Sequence, residues 1–245
     1  MIQKKPSPEI FAEMCKAGLL YGCLKSQTHS GTKPFIVGNF NNIEIIDLEI
    51  TLNHLNDLVS FLKDKIYPSK SEPALILLVG TTPPAIKEVK EFAQQYKFPY
   101  ITNKWIAGTL TNFNQIRKRI DYYLEYKQKI EKGELKKYTK KERLKMEREF
   151  LKLKQNFESL VALSRLPDIL FVVNPFQHKI AVCEANKMNI PVVGIVGTNF
   201  NLKRFAYPVL ANDCSRESIS WIFSYIRKNL KEGRKKRSKK KTESK

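Results

Sequence analysis

The sequence has little of what metal binding or redox chemistry needs. It contains four cysteines and three histidines in 245 residues, and the cysteines are widely spaced, at positions 15, 23, 183 and 214. No C-x-x-C pair occurs, and no cysteine pair has a histidine nearby at the spacing of a zinc site. The pattern therefore predicts no metal and no cofactor, and it favours a reducing compartment in which the thiols stay free.

Motifs of nucleotide-binding and catalytic sites are also missing. Neither G-x-G-x-x-G nor G-x-x-x-x-G-K-[ST] occurs, although Gly80 and Gly197 each follow an apolar run where a phosphate loop would begin. No histidine has an acid or nucleophile at motif spacing, and Glu184 is expected to pair with a nearby lysine. We predict no catalytic residues and no enzyme. The alternative left open is a nucleotide-binding α/β enzyme that modifies RNA, with its ligand near the two glycines.

Long apolar runs and targeting segments are absent as well. The longest apolar run, residues 74–79, has the length of a buried strand and not of a membrane span. The N-terminal M-I-Q-K-K-P-S-P-E-I lacks the apolar centre of a signal peptide and the Arg- and Ser-rich pattern of a transit peptide. The sequence thus predicts no membrane partner and no cleaved leader.

Positive charge is what the chain has in excess. Its 44 lysines and arginines against 24 acidic residues give a net charge of +20. Solubility requires far less charge, whereas a field of this sign attracts nucleic acid, anionic membranes or acidic proteins. The composition favours a nucleic-acid partner, and a scaffold for acidic proteins remains open.

Strands and helices alternate along most of the chain. A polar loop is predicted at 22–34, and 205–210 is predicted as an edge strand or a loop. This order predicts an α/β fold with a largely parallel, flavodoxin- or Rossmann-like sheet flanked by helices. The predicted strands are 35–37, 43–47, 74–79, 100–102, 169–173 and 191–196, and the predicted helices are 10–20, 51–65, 84–96, 178–188 and 215–230.

An insertion without strand signals interrupts the alternation at 112–164. One helix is predicted from 112 to 132, and a second begins at the capping box Thr139-Lys-Lys-Glu142. The two form an inserted antiparallel α-helical hairpin, which either binds a partner or is a solvated charged element. We therefore divide the chain into an α/β domain at 1–109 and 166–230, the hairpin at 110–165 and a basic tail at 231–245.

The basic tail has no apolar side chain after Leu230. Such a segment cannot offset its ordering entropy by burial, so on its own we expect it to be disordered. We predict that it threads along RNA or reaches a neighbouring protein. Its candidate RNA-binding residues are Arg234, Lys235, Lys236, Arg237, Lys239, Lys240 and Lys241.

The junction between the sheet and the hairpin, Pro99 to Arg119, is the main candidate site. It combines cations with hydroxyl and amide side chains at the start of a helix, which are groups that hold phosphate. Trp105 either stacks on an unpaired base or belongs to the core. The candidate RNA-binding residues are Lys104, Trp105, Thr109, Thr111, Asn112, Arg117 and Arg119, with Lys25 and Lys33 in the N-terminal loop.

Four stretches resemble one known family. They are K-P-F-I-V-G-N-F-N-N-I-E-I-I-D-L-E-I-T (33–51), L-L-V-G-T (77–81), N-K-W-I-A-G-T-L-T-N-F-N-Q-I-R (103–117) and P-D-I-L-F-V-V-N-P-F-Q-H-K-I-A-V-C-E-A-N-K-M-N-I-P-V-V-G-I-V-G-T-N (167–199). In this order and spacing they are similar to signatures of the bacterial-type small-subunit ribosomal protein two family. The resemblance implies a structural component of the small ribosomal subunit that binds ribosomal RNA and neighbouring ribosomal proteins, with no small-molecule substrate.

The chain departs from the family pattern at several positions. Cys23 stands where the family usually has histidine, Ala107-Gly108 replaces a Gly-Gly pair, and Asn174, His178 and Gly197 replace acidic residues. With a composition rich in Lys, Ile, Asn and Phe, these departures suggest a divergent organellar member. We therefore predict a mitochondrial ribosome as the location, with a plastid or a bacterial cytoplasm as alternatives.

Overall fold

Eight strands are present in the part of the chain that the structure describes. The computed structural model describes residues 8–68, 72–132 and 139–242, with the backbone alone for 232–242. The strands are β1 (Tyr21–Leu24), β2 (Ile36–Phe40), β3 (Ile43–Ile46), β4 (Ile76–Val79), β5 (Tyr100–Ile101), β6 (Ile169–Val173), β7 (Val192–Val196) and β8 (Tyr207–Leu210).

The central sheet contains five of these strands, in the order β5-β4-β6-β7-β8. All four neighbouring pairs are parallel. This is the flavodoxin-like order, in which the second strand of the sheet lies outside the first and the remaining strands follow on the other side. Strands β4, β6 and β7 are buried at every residue, as their unbroken apolar sequences predict for a sheet covered on both faces. The predicted fold class is confirmed.

Within the described ranges, seven α-helices cover the sheet. One face packs against α1, α2, α3 and α7 through residues such as Leu78 and Phe171, and the other face packs against α4, α5 and α6 through their neighbours Leu77 and Val172. The helices are α1 (Pro8–Lys16), α2 (Leu48–Ile66), α3 (Pro83–Tyr96), α4 (Phe113–Glu131), α5 (Lys140–Phe157), α6 (Lys179–Lys187) and α7 (Arg216–Thr242).

Gly194 stands where the strands β6 and β7 lie close together. Gly194 on β7 has φ of +140°, and a Cβ atom at this position would overlap the carbonyl oxygen of Val172 on β6. Only glycine has no Cβ, so this residue allows the two central strands to lie at their observed distance.

A small antiparallel sheet at the N-terminus differs from the prediction. Its order is β1-β3-β2, so Tyr21–Leu24 is a strand where the sequence analysis predicted a loop from residue 22. Strands β2 and β3 pair around Asn41 and Asn42, whose φ values of 49° and 63° suit a two-residue hairpin turn. β1 was missed because it is only four residues long and half-exposed, so its hydrophobic pattern is weak.

The helical hairpin is formed by α4 and α5, which are in contact with each other. Thr139 and Glu142 make both hydrogen bonds of the predicted capping box at the start of α5. Tyr123 and Tyr126 of α4 stack on Phe150 of α5, at 5.8 Å between ring centroids in each case. Residues 133–138, between the helices, lie outside the described residues.

The last helix contradicts the prediction for the tail. The helix was predicted to end at Leu230, whereas the backbone of α7 is helical to Thr242. Lysine, arginine and glutamate are good helix formers, and the packed part of α7 removes the cost of nucleation. The helix can therefore continue past Leu230, where the sequence has no apolar residue.

Candidate functional site

The turn between β5 and α4 is organised by one carboxylate, that of Glu184 on α6. Its Oε1 accepts hydrogen bonds from the indole N–H of Trp105 at 3.0 Å and from the backbone N–H of Gly108 at 2.8 Å. Its Oε2 accepts from the backbone N–H of Leu110 at 3.0 Å, and from the N–H and hydroxyl of Thr111 at 3.3 Å each. Glu184 is buried.

These hydrogen bonds keep Glu184 ionised. Burial alone would raise the pKa of its carboxyl, but the hydrogen bonds from Trp105 and from the backbone N–H groups outweigh it and lower the pKa. The predicted pairing of Glu184 with a lysine is wrong. The backbone donors that the sequence analysis offered to phosphate at this turn already bind an anion of the protein itself.

Two further strand ends are filled in the same way by buried side chains. After β4, the backbone N–H of Thr81 donates to Nε2 of His178 at 3.2 Å. After β7, the backbone N–H of Gly197 donates to Oδ2 of Asp213 at 3.1 Å. Burial lowers the pKa of His178 to about 4 and raises the pKa of Asp213 to about 6. The carboxyl ends of the strands, where a sheet of this order binds nucleotides, are thus occupied by the chain itself.

Two predicted RNA-binding residues are buried in this arrangement. Trp105 is only 9% exposed and its N–H is bound to Glu184, so it belongs to the core and cannot stack on a base. Thr109 is fully buried, and its hydroxyl donates to the carbonyl of Ile106 at 2.6 Å. Burial corrects the prediction for Thr109, and of the two alternatives for Trp105 it favours the core.

The other predicted residues of the junction lie at the surface or at its edge. Lys104, Asn112 and Arg119 are exposed. Thr111 is exposed but bonds to Glu184, and Arg117 is partly buried, where it donates to the carbonyl of Leu163 at 3.2 Å and pairs with Asp121 at 2.9 Å. Arg117 therefore attaches α4 to the end of the hairpin.

A groove of about 920 Å³ collects the exposed residues of the junction. It lies between the turn and the outer side of the hairpin, with Lys104, Arg119 and Lys152 among its lining residues. Lys152 belongs to α5, a helix that contains none of the predicted RNA-binding residues. The missed signal is the spacing of the cations on α5, which places several of them on one helical face.

The remaining candidates lie elsewhere. Lys25 and Lys33 are exposed, and they adjoin the small antiparallel sheet and not the hairpin. The tail candidates Arg234, Lys235, Lys236, Arg237, Lys239, Lys240 and Lys241 lie on the helical backbone of α7, and their side chains are outside the described part of the structure.

Neither a membrane span nor a metal cluster is found in the described ranges. In residues 8–68, 72–132 and 139–242, no helix combines the length and apolarity needed to cross a bilayer. The same residues contain no group of three or more His, Cys, Asp or Glu side chains that is placed to hold a metal ion.

Comparison with known proteins gives consistent matches over nearly the whole chain. The family model described as Ribosomal protein S2 matches residues 14–233. A protein from Dictyoglomus turgidum named small ribosomal subunit protein uS2 is 34% identical over 225 residues, which cover 92% of this chain and 90% of the relative. The protein of the same name from Coprothermobacter proteolyticus is 36% identical over 222 residues, covering 91% of this chain and 81% of the relative.

Proposed function

The chain belongs to the ribosomal protein S2 family, and from this premise we propose that it is a structural constituent of the small ribosomal subunit. It binds ribosomal RNA and neighbouring small-subunit proteins, and it is not an enzyme. The observation that carries the proposal is the family match over residues 14–233. The net charge of +20 supports it, because a polyanion is the partner that such a charge favours.

The filled strand ends support the structural role over the nucleotide-binding alternative. A ligand near Gly80 or Gly197 would compete with His178 and Asp213 for the backbone N–H groups of the two turns. Both side chains are almost fully buried, so a phosphate would have to displace packed parts of the protein. The geometry therefore favours a rigid body that presents its surface to RNA.

For the location, we propose the mitochondrial ribosome, with a plastid or a bacterial cytoplasm as alternatives. The named relatives are bacterial proteins, which fits a ribosome of bacterial type in any of the three. The finer assignment is supported by the departures from the family pattern, such as Cys23, and by the Lys-, Ile-, Asn- and Phe-rich composition. Co-purification of the tagged chain with mitochondrial rather than plastid ribosomes would test it.

For the RNA contacts and the domain division, we propose a revised form of the sequence-based hypothesis. Of the junction residues, Lys104, Asn112 and Arg119 remain RNA-contact candidates because they are exposed. Lys25, Lys33 and the basic tail remain candidates as separate contacts. The α/β part at 1–109 and 166–230 acts as the body, and the hairpin at 110–165 and the tail at 231–245 extend from it.

The test is co-sedimentation with ribosomal subunits on a sucrose gradient. We expect the tagged chain to migrate with the small subunit, and to move to the top of the gradient after nuclease treatment. Migration as a free protein in untreated extract would overturn the proposal. Titration calorimetry with nucleotides and S-adenosylmethionine provides the second arm, since tight saturable binding there would favour the RNA-modifying enzyme.

A further inference from the structure

Four cations form a stripe along the outer face of α5. Lys141, Lys145, Arg148 and Lys152 follow one another at intervals of three or four residues, which places them on one side of the helix, about 5–6 Å apart at Cβ. The stripe is about 16 Å long, since each residue rises about 1.5 Å along the helix. All four side chains are exposed, and they line a shallow groove of about 590 Å³ together with Leu144.

The stripe leaves an excess of positive charge, because four cations and two glutamates line its groove. Within the described residues, none of the four cations has an ion pair or a hydrogen bond to another side chain. The two acids beside them are engaged elsewhere. Glu142 binds Thr139 in the capping box at 2.8 Å, and Glu149 accepts a hydrogen bond from Tyr122 at 3.5 Å.

Three other cations of the hairpin are different, because each of these three has a carboxylate partner one helical turn away. Such pairs fix charge within the protein, whereas the stripe leaves its charge available to an external anion. The paired cations are Arg117 with Asp121, Lys127 with Glu131 and Lys154 with Glu158.

The stripe continues without a break into the larger groove at the base of the hairpin. Lys152 and Glu149 line both grooves. The larger groove adds Lys104 and Arg119, which have no ion pair within the described part of the chain, and an apolar wall that includes Ile180, which is 59% exposed. Its volume of about 920 Å³ is within the range of clefts that hold small organic groups.

We propose that this track binds a single RNA strand, with phosphates on the α5 stripe and one unpaired nucleotide in the groove beside Ile180. The proposal rests on the proposed function and names the RNA-binding surface within it. Cations at the rim hold the phosphates, and the apolar wall receives the face of an unstacked base. This is how proteins bind single-stranded RNA segments.

An RNA strand fits the track better than a protein does. The core of a protein interface buries aromatic and apolar side chains and is depleted of charge. Among the described residues that line the smaller groove, Leu144 is the one apolar side chain, beside four cations and two glutamates. The repeated positive charge at similar intervals matches a phosphate backbone, in which a negative charge recurs at every nucleotide.

The first test compares two triple variants of the full chain. K141A/K145A/R148A removes three cations of the stripe, and the control K90A/K187A/K228A removes three exposed cations from α3, α6 and α7. Both variants lower the net charge from +20 to +17. Binding to a small-subunit ribosomal RNA transcript is measured by filter retention over a series of KCl concentrations.

We expect the stripe variant to lose at least about tenfold in affinity near 0.1 M KCl. Its plot of log affinity against log salt should be shallower by about 2 to 3, since each lost phosphate contact lowers the slope by about 0.7–0.9. The control should change the slope by less than about 1. Equal effects of the two variants would overturn the inference while leaving the ribosomal role intact, and a wild-type chain that neither binds nor co-sediments would overturn the ribosomal role itself.

The second test identifies what occupies the groove. A photocrosslinking amino acid replaces Ile180 in the full chain, and in a control it replaces Met188, which is exposed near the other end of α6. After irradiation of purified small subunits, we expect a nuclease-sensitive RNA crosslink at position 180 and none at 188. A protein crosslink at 180, or RNA crosslinks of equal yield at both positions, would show that the groove does not hold an RNA strand.

Discussion

The α/β body and the helical hairpin use charged side chains in opposite ways. In the body, Glu184, His178 and Asp213 are buried and bind backbone N–H groups at the ends of strands. On the hairpin, α5 exposes most of its length, and among its described residues only Leu153 and Phe157 are buried. The body therefore uses polar chemistry to fix its own turns, while the hairpin presents charge to the solvent.

This difference shows why a sheet of nucleotide-binding order need not bind a nucleotide. The strand ends of such a sheet offer backbone donors, and an anion from outside is only one way to satisfy them. Here the donors of the turn after β5 are satisfied by Glu184, from a helix about 75 residues further along the chain. A site that is satisfied internally contributes to stability and leaves binding to other surfaces.

The largest effect is expected from Glu184→Ala in the body. The substitution leaves the N–H groups of Trp105, Gly108 and Leu110 without their acceptor in a buried turn. We expect the free energy of unfolding to fall by about 4 kcal/mol, because each unsatisfied buried donor costs about 1–3 kcal/mol and the turn can relax in part. Urea denaturation measures the change.

The matched control on the hairpin is Glu158→Ala. Glu158 is exposed and pairs with Lys154 at 4.0 Å, so its loss should cost less than about 1 kcal/mol. Equal destabilisation by Glu184→Ala and Glu158→Ala would contradict the expected difference in stability between losing a buried and losing an exposed carboxylate.

The second prediction concerns pH, because His178 and Asp213 respond in opposite directions. Asp213 has a pKa of about 6 in the folded protein against an ordinary value of 3.8, so the folded state gains a proton first and stability rises as pH falls from 6 to 4. His178 has a folded pKa of about 4 against 6.5, so the unfolded state gains the proton first and stability falls over a similar range.

The variant Asp213→Asn should reveal how His178 contributes to the pH dependence of the free energy of unfolding. We expect the variant to lose up to about 3 kcal/mol more than the wild type between pH 6.5 and pH 4, since about two pKa units are removed at about 1.4 kcal/mol each. Urea denaturation at several pH values measures the difference, and His178→Gln should deviate in the opposite direction. If the wild type and the two variants had parallel profiles of stability against pH, the opposite contributions of Asp213 and His178 would be contradicted.

The third prediction tests whether the hairpin unfolds independently of the body. Leu153→Ala removes a side chain at the edge of the seam between α4 and α5, where 9% of it is exposed, and should cost about 2 kcal/mol. Hydrogen exchange should become faster in α4 and α5 and stay slow in β6. Val172→Ala, in the fully buried strand β6, is the control and should speed exchange throughout the sheet.

The smallest effect on stability is expected from the α5 stripe. K141A/K145A/R148A should change the free energy of unfolding by less than about 0.5 kcal/mol, because these exposed residues have no partner among the described residues and alanine favours helix. Thermal denaturation followed by circular dichroism measures this. A larger loss would mean that the stripe stabilises the hairpin, so that weaker RNA binding by the variant would no longer report contacts alone.

The regular parts of the fold could be predicted from the sequence because they depend on local patterns. Unbroken apolar runs identified β4, β6 and β7, and the capping box located the start of α5. The strand β1 was missed because four half-exposed residues give no clear period. The helical continuation of α7 was missed because low hydrophobicity was given more weight than helix propensity.

The site was harder to predict because its contacts join distant parts of the chain. The residue types at the junction predicted phosphate binding, which stays a prediction, whereas the backbone N–H groups of the turn bind Glu184 of the same chain. No local pattern relates α6 to that turn, and the bond that holds Trp105 belongs to the same long-range contact. The exposed cations of α5 did show a period in the sequence, and they became informative only when the structure joined them to the groove.

The attachment of the hairpin to the body has a consequence for how precisely α4 is positioned. Helix α4 has 19 residues and is about 28 Å long, and its base is fixed by the Glu184 turn and by the bond from Arg117 to Leu163. On a lever of this length, a tilt of about 5° at the base moves the far end by about 2.5 Å. Such a displacement is close to a hydrogen-bond length, so a carboxylate buried in the body sets how precisely the far end of α4 is positioned.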